Sequence, residues 1–297
     1  MWIAVTARFR DFHNNLLLTD DQREDGKTKH HGVRKCLNSH YYGSSSETAN
    51  SFLIGSWGKF TRVRPPRDID LYFVLPQEVY DRFNTYAYNV NKQSALLQEI
   101  KSVLQKTYPA TEMSGDGQVV VVKFSTMSVE VVPAFARANG RYWICHTNNG
   151  GSYKETDPVA EEKLISSVDT DNNDNLRKIV RMLKAWQSYC NVPLKSFHLE
   201  LLAADFISKS AWRLNSYFYY DWIMRDFFQY LQRMENGYLY APGTGEVMAI
   251  GNAWKSRCDS AYARALKACE YEHDDYVNLA GEEWRKIFGD QIPQDPR

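Results

Sequence analysis

The stretch Gly55-Ser56-Trp57-Gly58-Lys59-Phe60-Thr61-Arg62-Val63-Arg64-Pro65-Pro66-Arg67-Asp68-Ile69-Asp70 is the part of the chain on which its fold turns. Its closing D-x-D leads into Leu71-Tyr72-Phe73-Val74-Leu75, an apolar run stopped by Pro76. Side chains alternate across a strand, so Asp68 and Asp70 share one face while Ile69, Leu71 and Phe73 turn to the opposite, buried one. Two carboxylates about 4 Å apart, at an effective dielectric near 20, repel by roughly 4 kcal/mol, which calls for a cation or a shifted pKa. A divalent ion meets that need. On its own a D-x-D is commonly a solvated strand start, and its neighbours have to decide the matter.

Upstream, residues 51–54 read as a strand running into Gly55-Ser56. Glycine followed by serine lets backbone N–H groups and a hydroxyl come close to phosphate oxygens. Downstream, Val129-Glu130-Val131-Val132-Pro133 sets one carboxylate among apolar neighbours on a strand, where an unpaired ionised Glu is costly. Glu130 is thus the expected third metal ligand beside Asp68 and Asp70. Three carboxylates facing one way beside a Gly-Ser loop can hold two Mg²⁺ ions, grip a nucleotide triphosphate and activate an attacking hydroxyl.

Working outward, 297 residues allow two domains or one domain with a large helical extension. Hydrophobic residues make up 43% and charged residues 24%, which excludes collagen, coiled coil and wholesale disorder. Thirty-six basic residues balance 36 acidic ones, against a protein that coats duplex nucleic acid. The five cysteines (Cys36, Cys145, Cys190, Cys258 and Cys269) contain no C-x-x-C pair, so neither a zinc cluster nor a disulfide framework is expected, and a cytoplasmic, reducing setting is. Residues 1–10 carry no signal-like core and no apolar run reaches 18 residues, so secretion and membrane spanning are not expected.

Thr19-Asp20-Asp21-Gln22 reads as a capped start of a long helix ending near Tyr42. The spacing of Ala95, Leu96, Ile100, Val103 and Leu104 predicts a helix over 91–106, and strands are expected over 119–124 and 128–132. Residues 139–174, rich in Gly, Asn, Asp and Ser, read as an irregular connector. Helical patterns follow at 176–190, 197–208, 220–234 and 252–272, and residues 291–297 as a frayed end. Lys178, Arg181 and Lys184 recur every three residues. Lys178 and Arg181 read as a solvated helix face, Lys184 as a compact cation for phosphate. His146 and His198 read as hydrogen-bonding histidines, and the aromatics from Trp212 to Trp222 as core.

The pattern G-S-x₁₁-D-x-D followed by V-E-V-V-P-A resembles the polymerase-β-type nucleotidyltransferases. In detail it is similar to the bacterial relatives of cyclic GMP-AMP synthase and oligoadenylate synthase, the SMODS-type CD-NTases of anti-phage (CBASS) signalling. Residues 140–144, 150–153, 156–158, 181–186, 194–200 and 283–289 resemble that family in order, so nearly the whole chain is covered, the N-terminal helix loosely.

The resemblance implies an α+β, two-lobed fold: a mixed-sheet catalytic lobe over 1–155, including the long N-terminal helix, and a helical lobe over 156–297 closing the nucleotide cleft. It implies that Asp68, Asp70 and Glu130 hold Mg²⁺ or Mn²⁺, as two ions, with Glu130 helping to deprotonate a ribose hydroxyl. Gly55, Ser56, Lys184 and Ser196 would meet the triphosphate, and Phe197 would stack on a base or pack in the core. The implied substrates are NTPs, ATP among them, and the product a cyclic di- or trinucleotide. A regulatory protein and a downstream effector that binds the product are the implied partners. Glu130 stands where many members have aspartate, and the cysteines leave no counterpart of the metazoan zinc insertion, so no duplex DNA is expected to be required. Modification of an RNA end or a protein, or a silent nucleotide sensor, are the competing readings.

Overall fold

The computed structural model describes residues 2–85 and 91–296. The strands of its main sheet are β1 (Ser51–Leu53), β2 (Asp68–Val74), β3 (Glu112–Asp116), β4 (Val119–Lys123), β5 (Ser128–Ala136), β6 (Tyr142–His146) and β7 (Ser152–Thr156), and a separate small hairpin pairs β8 (Tyr238–Tyr240) with β9 (Val247–Ala249). β-Branched and aromatic residues favour most of these strands, while β3 (Glu112-Met113-Ser114-Gly115-Asp116) has none and is formed by its pairing with the valine-rich β4. The first seven form one mixed sheet in the order β1-β2-β5-β4-β3, with β6 on β5 and β7 beyond it. β2 and β5 run parallel and the remaining pairs antiparallel.

The helices are α1 (Val5–Leu16), α2 (Asp20–Tyr42), the single turn α3 (Gly55–Gly58), α4 (Gln77–Asn84), α5 (Lys92–Thr107), α6 (Pro158–Asp171), α7 (Asn175–Tyr189), α8 (Ser196–Lys209), α9 (Tyr220–Gln232), α10 (Lys255–His273) and α11 (Val277–Phe288). The capped start at Thr19 is present as a reciprocal box: the Thr19 hydroxyl accepts from the Gln22 N–H, and the Gln22 side chain accepts from the Thr19 N–H.

Two units emerge. The sheet unit comprises Leu18–Phe60 and Pro66–Glu162; the helical unit comprises the chain up to Leu17, Thr61–Pro65, and everything from Lys163 onward. In the sheet unit, Ile69, Leu71, Phe73, Val129 and Val131 are buried with Leu37, Leu96 and Ile100 from α2 and α5. In the helical unit, Phe9, Phe12, Trp186, Phe227, Trp254 and Trp284 build a separate core. Trp212, Tyr217, Tyr219 and Trp222 pack against it, as the sequence predicts.

Several expectations need correction. The division is not at 155: α1 groups with the helical unit, five residues between α3 and β2 do the same, and the sheet unit runs on to Glu162. Residues 139–174 are not an irregular connector but carry β6, β7 and α6. The glycines there mark turns, Gly140 and Gly151 taking φ of +80° and +93°, while Asp157 followed by Pro158 is a helix start. The end of the chain is tied down rather than frayed. Ile292 is fully buried, and the Arg8 guanidinium donates to the carbonyls of Pro293 and Gln294 at 2.6 and 2.5 Å. Of the ends read in the sequence, Met1 and Arg297 lie outside the described residues. Among the described residues no helix is long and apolar enough to cross a membrane.

Candidate active site

The parallel pairing of β2 with β5 places Asp70 directly opposite Glu130 and Asp68 opposite Ser128. The alternation expected from the sequence holds: Ile69, Leu71 and Val129 are fully buried on one face, while Asp68, Asp70 and Glu130 emerge on the other. Asp68 is exposed; Asp70 and Glu130 are half-buried. Further along the same face Tyr72, Val132 and Ile144 gather Phe52, Ile54 and Tyr142. The face is therefore acidic at one end and aromatic at the other.

The Gly-Ser turn leans on the carboxylates. Gly55 has φ +54°, and a Cβ at this position would run into the carboxylate of Asp70. Only glycine permits both the backbone angle and the approach. The Ile54 N–H donates to the Asp70 carbonyl at 3.0 Å, and the turn closes on itself through Gly58 N–H to Ile54 O and Lys59 N–H to Gly55 O, at 2.9 and 3.0 Å. Ser56, the residue meant to reach phosphate, is half-buried in this turn.

Glu130 records the crowding of like charge. Burial, and then Asp70, Asp68 and Asp116, push its carboxyl up to about 7. Asp116 was not anticipated, because its Gly-Asp-Gly setting reads as a loop although it ends β3. Among the described residues, no three His, Cys, Asp or Glu side chains converge closely enough to hold a metal ion. The sheet thus fixes a common face and register for the three carboxylates without gathering their oxygens into a cage.

The residues expected from the helical unit are placed differently from one another. Lys184 is not offered as an open cation: it is 8% exposed, with Nζ 2.6 Å from Glu200 Oε1 and 2.8 Å from Thr61 Oγ1. The Thr61 hydroxyl in turn donates to Glu200 at 2.7 Å. Ser196 is exposed at the start of α8, its hydroxyl donating to Gln187 Oε1 at 2.9 Å. Phe197 is half-buried and is not among the side chains of the helical core. Arg181 departs from the solvated face assigned to it. Burial and then Arg62 lower its pKa to about 10, and Nη1 lies 3.3 Å from His13 Nε2. His13 is held down to about 4 by burial, Arg181 and Lys178, and its Nδ1 faces the Tyr217 hydroxyl at 2.8 Å. Lys178 keeps the peripheral position expected of it, Nζ reaching the Asn173 carbonyl at 3.4 Å. His198 is a buried histidine whose pKa burial lowers.

Residues 3–169, more than half of the chain and all of the sheet, match the family described as the Second Messenger Oligonucleotide or Dinucleotide Synthetase domain (SMODS). A probable cyclic nucleotide synthase of Bacillus cereus (strain VD146) is 23% identical over 275 residues, covering 80% of this chain and 81% of that protein. Among solved structures, CdnC of E. coli MS115-1 with ATP superposes with a TM-score of 0.69 at 19% identity, covering 99% of this chain and 100% of that one. CdnC has also been solved in a complex with HORMA-deltaN. The cyclic AMP-GMP synthase DncV of Vibrio cholerae gives a TM-score of 0.71 at 12% identity, covering 97% and 96%. These likenesses show that the expected two-part nucleotidyltransferase fold is present. With Asp70 and Glu130 in register beneath a Gly-Ser turn, and the family's domain matched from residue 3 to 169, the chain belongs to the second messenger oligonucleotide or dinucleotide synthetase family.

Proposed function

We propose that the protein condenses nucleoside triphosphates, ATP among them, into a short cyclic oligonucleotide used as a signal in anti-phage defence. The observation that carries this reading is the pairing of Asp70 with Glu130 on parallel strands, with Asp68 on the same face and Gly55 packed against Asp70.

The donor set suits magnesium or manganese, since all three side chains offer hard carboxylate oxygens. The repulsion that lifts Glu130 is what a divalent cation would offset. Asp68, Asp70 and Glu130 would hold a pair of such ions, which when bound supply charge neutralisation on both sides of the reacting phosphorus. The turn at Gly55 and Ser56 holds the triphosphate and aligns it. A ribose hydroxyl oxygen bonds to the α-phosphorus, the bond from that phosphorus to the bridging oxygen breaks, and pyrophosphate leaves. Glu130 takes the hydroxyl proton in this reading. A second transfer within the linear product closes the ring.

Lys184 serves Glu200 and Thr61 in this reading, and Ser196 and Phe197 are the helical-unit residues assigned to the nucleotide. The relatives solved with ATP and with HORMA-deltaN support a nucleotide substrate and a protein regulator for this chain as well. Five free cysteines fit a cytoplasmic setting. Incubation with all four NTPs and Mg²⁺ or Mn²⁺ should release pyrophosphate and yield a phosphatase-resistant product identifiable by mass spectrometry. Release that requires an added RNA or protein acceptor, or no release at all, overturns the proposal.

A further inference from the structure

The α3 turn is fastened on two sides. On one, Trp57 is buried so close to Gly26 of α2 that any side chain at position 26 would meet its indole. On the other, Lys59 Nζ lies 3.0 Å from Glu161 Oε2 in the first turn of α6, with the Lys59 side chain 5% exposed and that of Glu161 23%. Both ends of this ion pair are themselves fixed. The Lys59 N–H closes the α3 turn onto the Gly55 carbonyl. Glu161 is set by the start of α6, where the Asp157 carboxylate accepts from the Ala160 N–H at 2.9 Å and the Asp157 carbonyl from the Glu161 N–H at 3.2 Å. Phe52, Ile54, Pro158 and Val159 line a pocket of about 180 Å³ beside the pair, and it is the burial of the Lys59 end that limits screening by water.

We infer that the Lys59–Glu161 ion pair is a positioning device for the reaction: it ties the end of the Gly55–Gly58 turn to α6 and so sets Gly55 and Ser56 against Asp70. The inference rests on the reading of that turn as the element that holds the triphosphate. Its physical basis is leverage. The turn is four residues long and its own closure consists of two backbone hydrogen bonds, so an anchor at Lys59, the residue that caps it, governs its setting. Removing the Glu161 charge takes this carboxylate away from the buried Lys59 ammonium, and removing the Lys59 charge unties Glu161 from the turn; in either case the turn shifts. A displacement of about 1 Å at a reacting group can cost roughly a hundredfold in rate. Substrate affinity, spread over many contacts, moves less.

The experiment compares the unmodified protein with Lys59→Met, Lys59→Arg and Glu161→Gln by hydrogen exchange of a peptide spanning 54–60 and by pyrophosphate release. Lys59→Met and Glu161→Gln should exchange about tenfold faster in this peptide, with the β4 and β5 peptides unchanged, and should lose about tenfold in kcat with KM within about threefold. Lys59→Arg, which keeps a cation in place, should retain native exchange and most of kcat. Should Lys59→Met fail to fold, the more exposed Glu161→Gln carries the comparison. Unchanged exchange at 54–60, acceleration spread equally over all strands, or a Lys59→Arg as impaired as Lys59→Met overturns the inference. Absence of pyrophosphate release by the unmodified protein, alongside the expected exchange, counts against the proposed activity and not against the tie between α3 and α6.

Discussion

At Asp70 three demands meet: its carboxylate lies under Gly55, its carbonyl accepts the Ile54 N–H, and its strand partner is Glu130. Asp70→Asn keeps the shape and removes one like charge from beside Glu130. Turnover should fall by at least about a hundredfold if this carboxylate holds an ion, while the melting temperature without metal stays level or rises slightly, because repulsion is relieved. Product formation at the native rate would remove Asp70 from the machinery. A second residue contributes to how stability depends on pH. Asp221 is fully buried, accepts the Trp222 N–H through Oδ1 at 2.8 Å, and leaves Oδ2 without a hydrogen bond. Burial is the main cause that raises its pKa to about 7, with Glu272 adding to it. Because the folded pKa exceeds the unfolded one, the native state binds the extra proton between about pH 4 and 7, and stability falls as pH rises through that window. Asp221→Asn should flatten the slope and raise the unfolding free energy from urea titration at pH 8 relative to pH 5, by an amount on the order of a few kcal/mol. A parallel pH profile for variant and parent would contradict this.

At the level of elements, the strands that carry the carboxylates were legible because period-two alternation in 68–74 and 128–132 states which face is buried. What stayed hidden was partnership between distant segments. Lys184 shows why: a lysine on a helix looks the same in sequence whether it faces phosphate or a buried glutamate, and Glu200 lies on the next helix, α8. Both side chains are little exposed, 9% and 4%, so the loss of either is expected to register in stability. Lys184→Ala should therefore cost about 3–5 kcal/mol in urea unfolding, since Glu200 is left buried and charged, and most of that should return in Lys184→Met combined with Glu200→Leu. A Lys184→Ala protein of native stability but weakened NTP binding would restore the phosphate role. The misread stretch 139–174 failed for a related reason. Gly, Asn and Ser dominate its turns and mask the short β6–β7 hairpin, whose pairing of Tyr142 with Thr156 no local pattern announces. α1 and α11 escaped too, although Phe9, Phe12 and Leu16, and Ala280, Trp284 and Ile287, show helical spacing.

Across the whole molecule, the charge balance bears on what switches the enzyme on. Thirty-six basic and 36 acidic residues leave no net field to draw a duplex in. Much of the basic complement is already engaged within its own unit: Arg8 with Glu272, Lys59 with Glu161, Arg177 with Asp169, Lys184 with Glu200 and Lys255 with Asp259. A protein that neutralises six to ten phosphates loses about 10³–10⁵ in affinity between 50 and 200 mM salt, because each contact releases a counterion. No such dependence is expected here. Pyrophosphate release from NTPs should be the same with and without added duplex DNA, and should change by less than about threefold over that salt range. Turnover that appears when duplex DNA is added, and that fades steeply between 50 and 200 mM salt, would show that a basic surface has been overlooked. DNA-independent, salt-tolerant turnover would instead direct the search for the trigger to protein partners, whose docking needs shape and apolar contact rather than a strong net field.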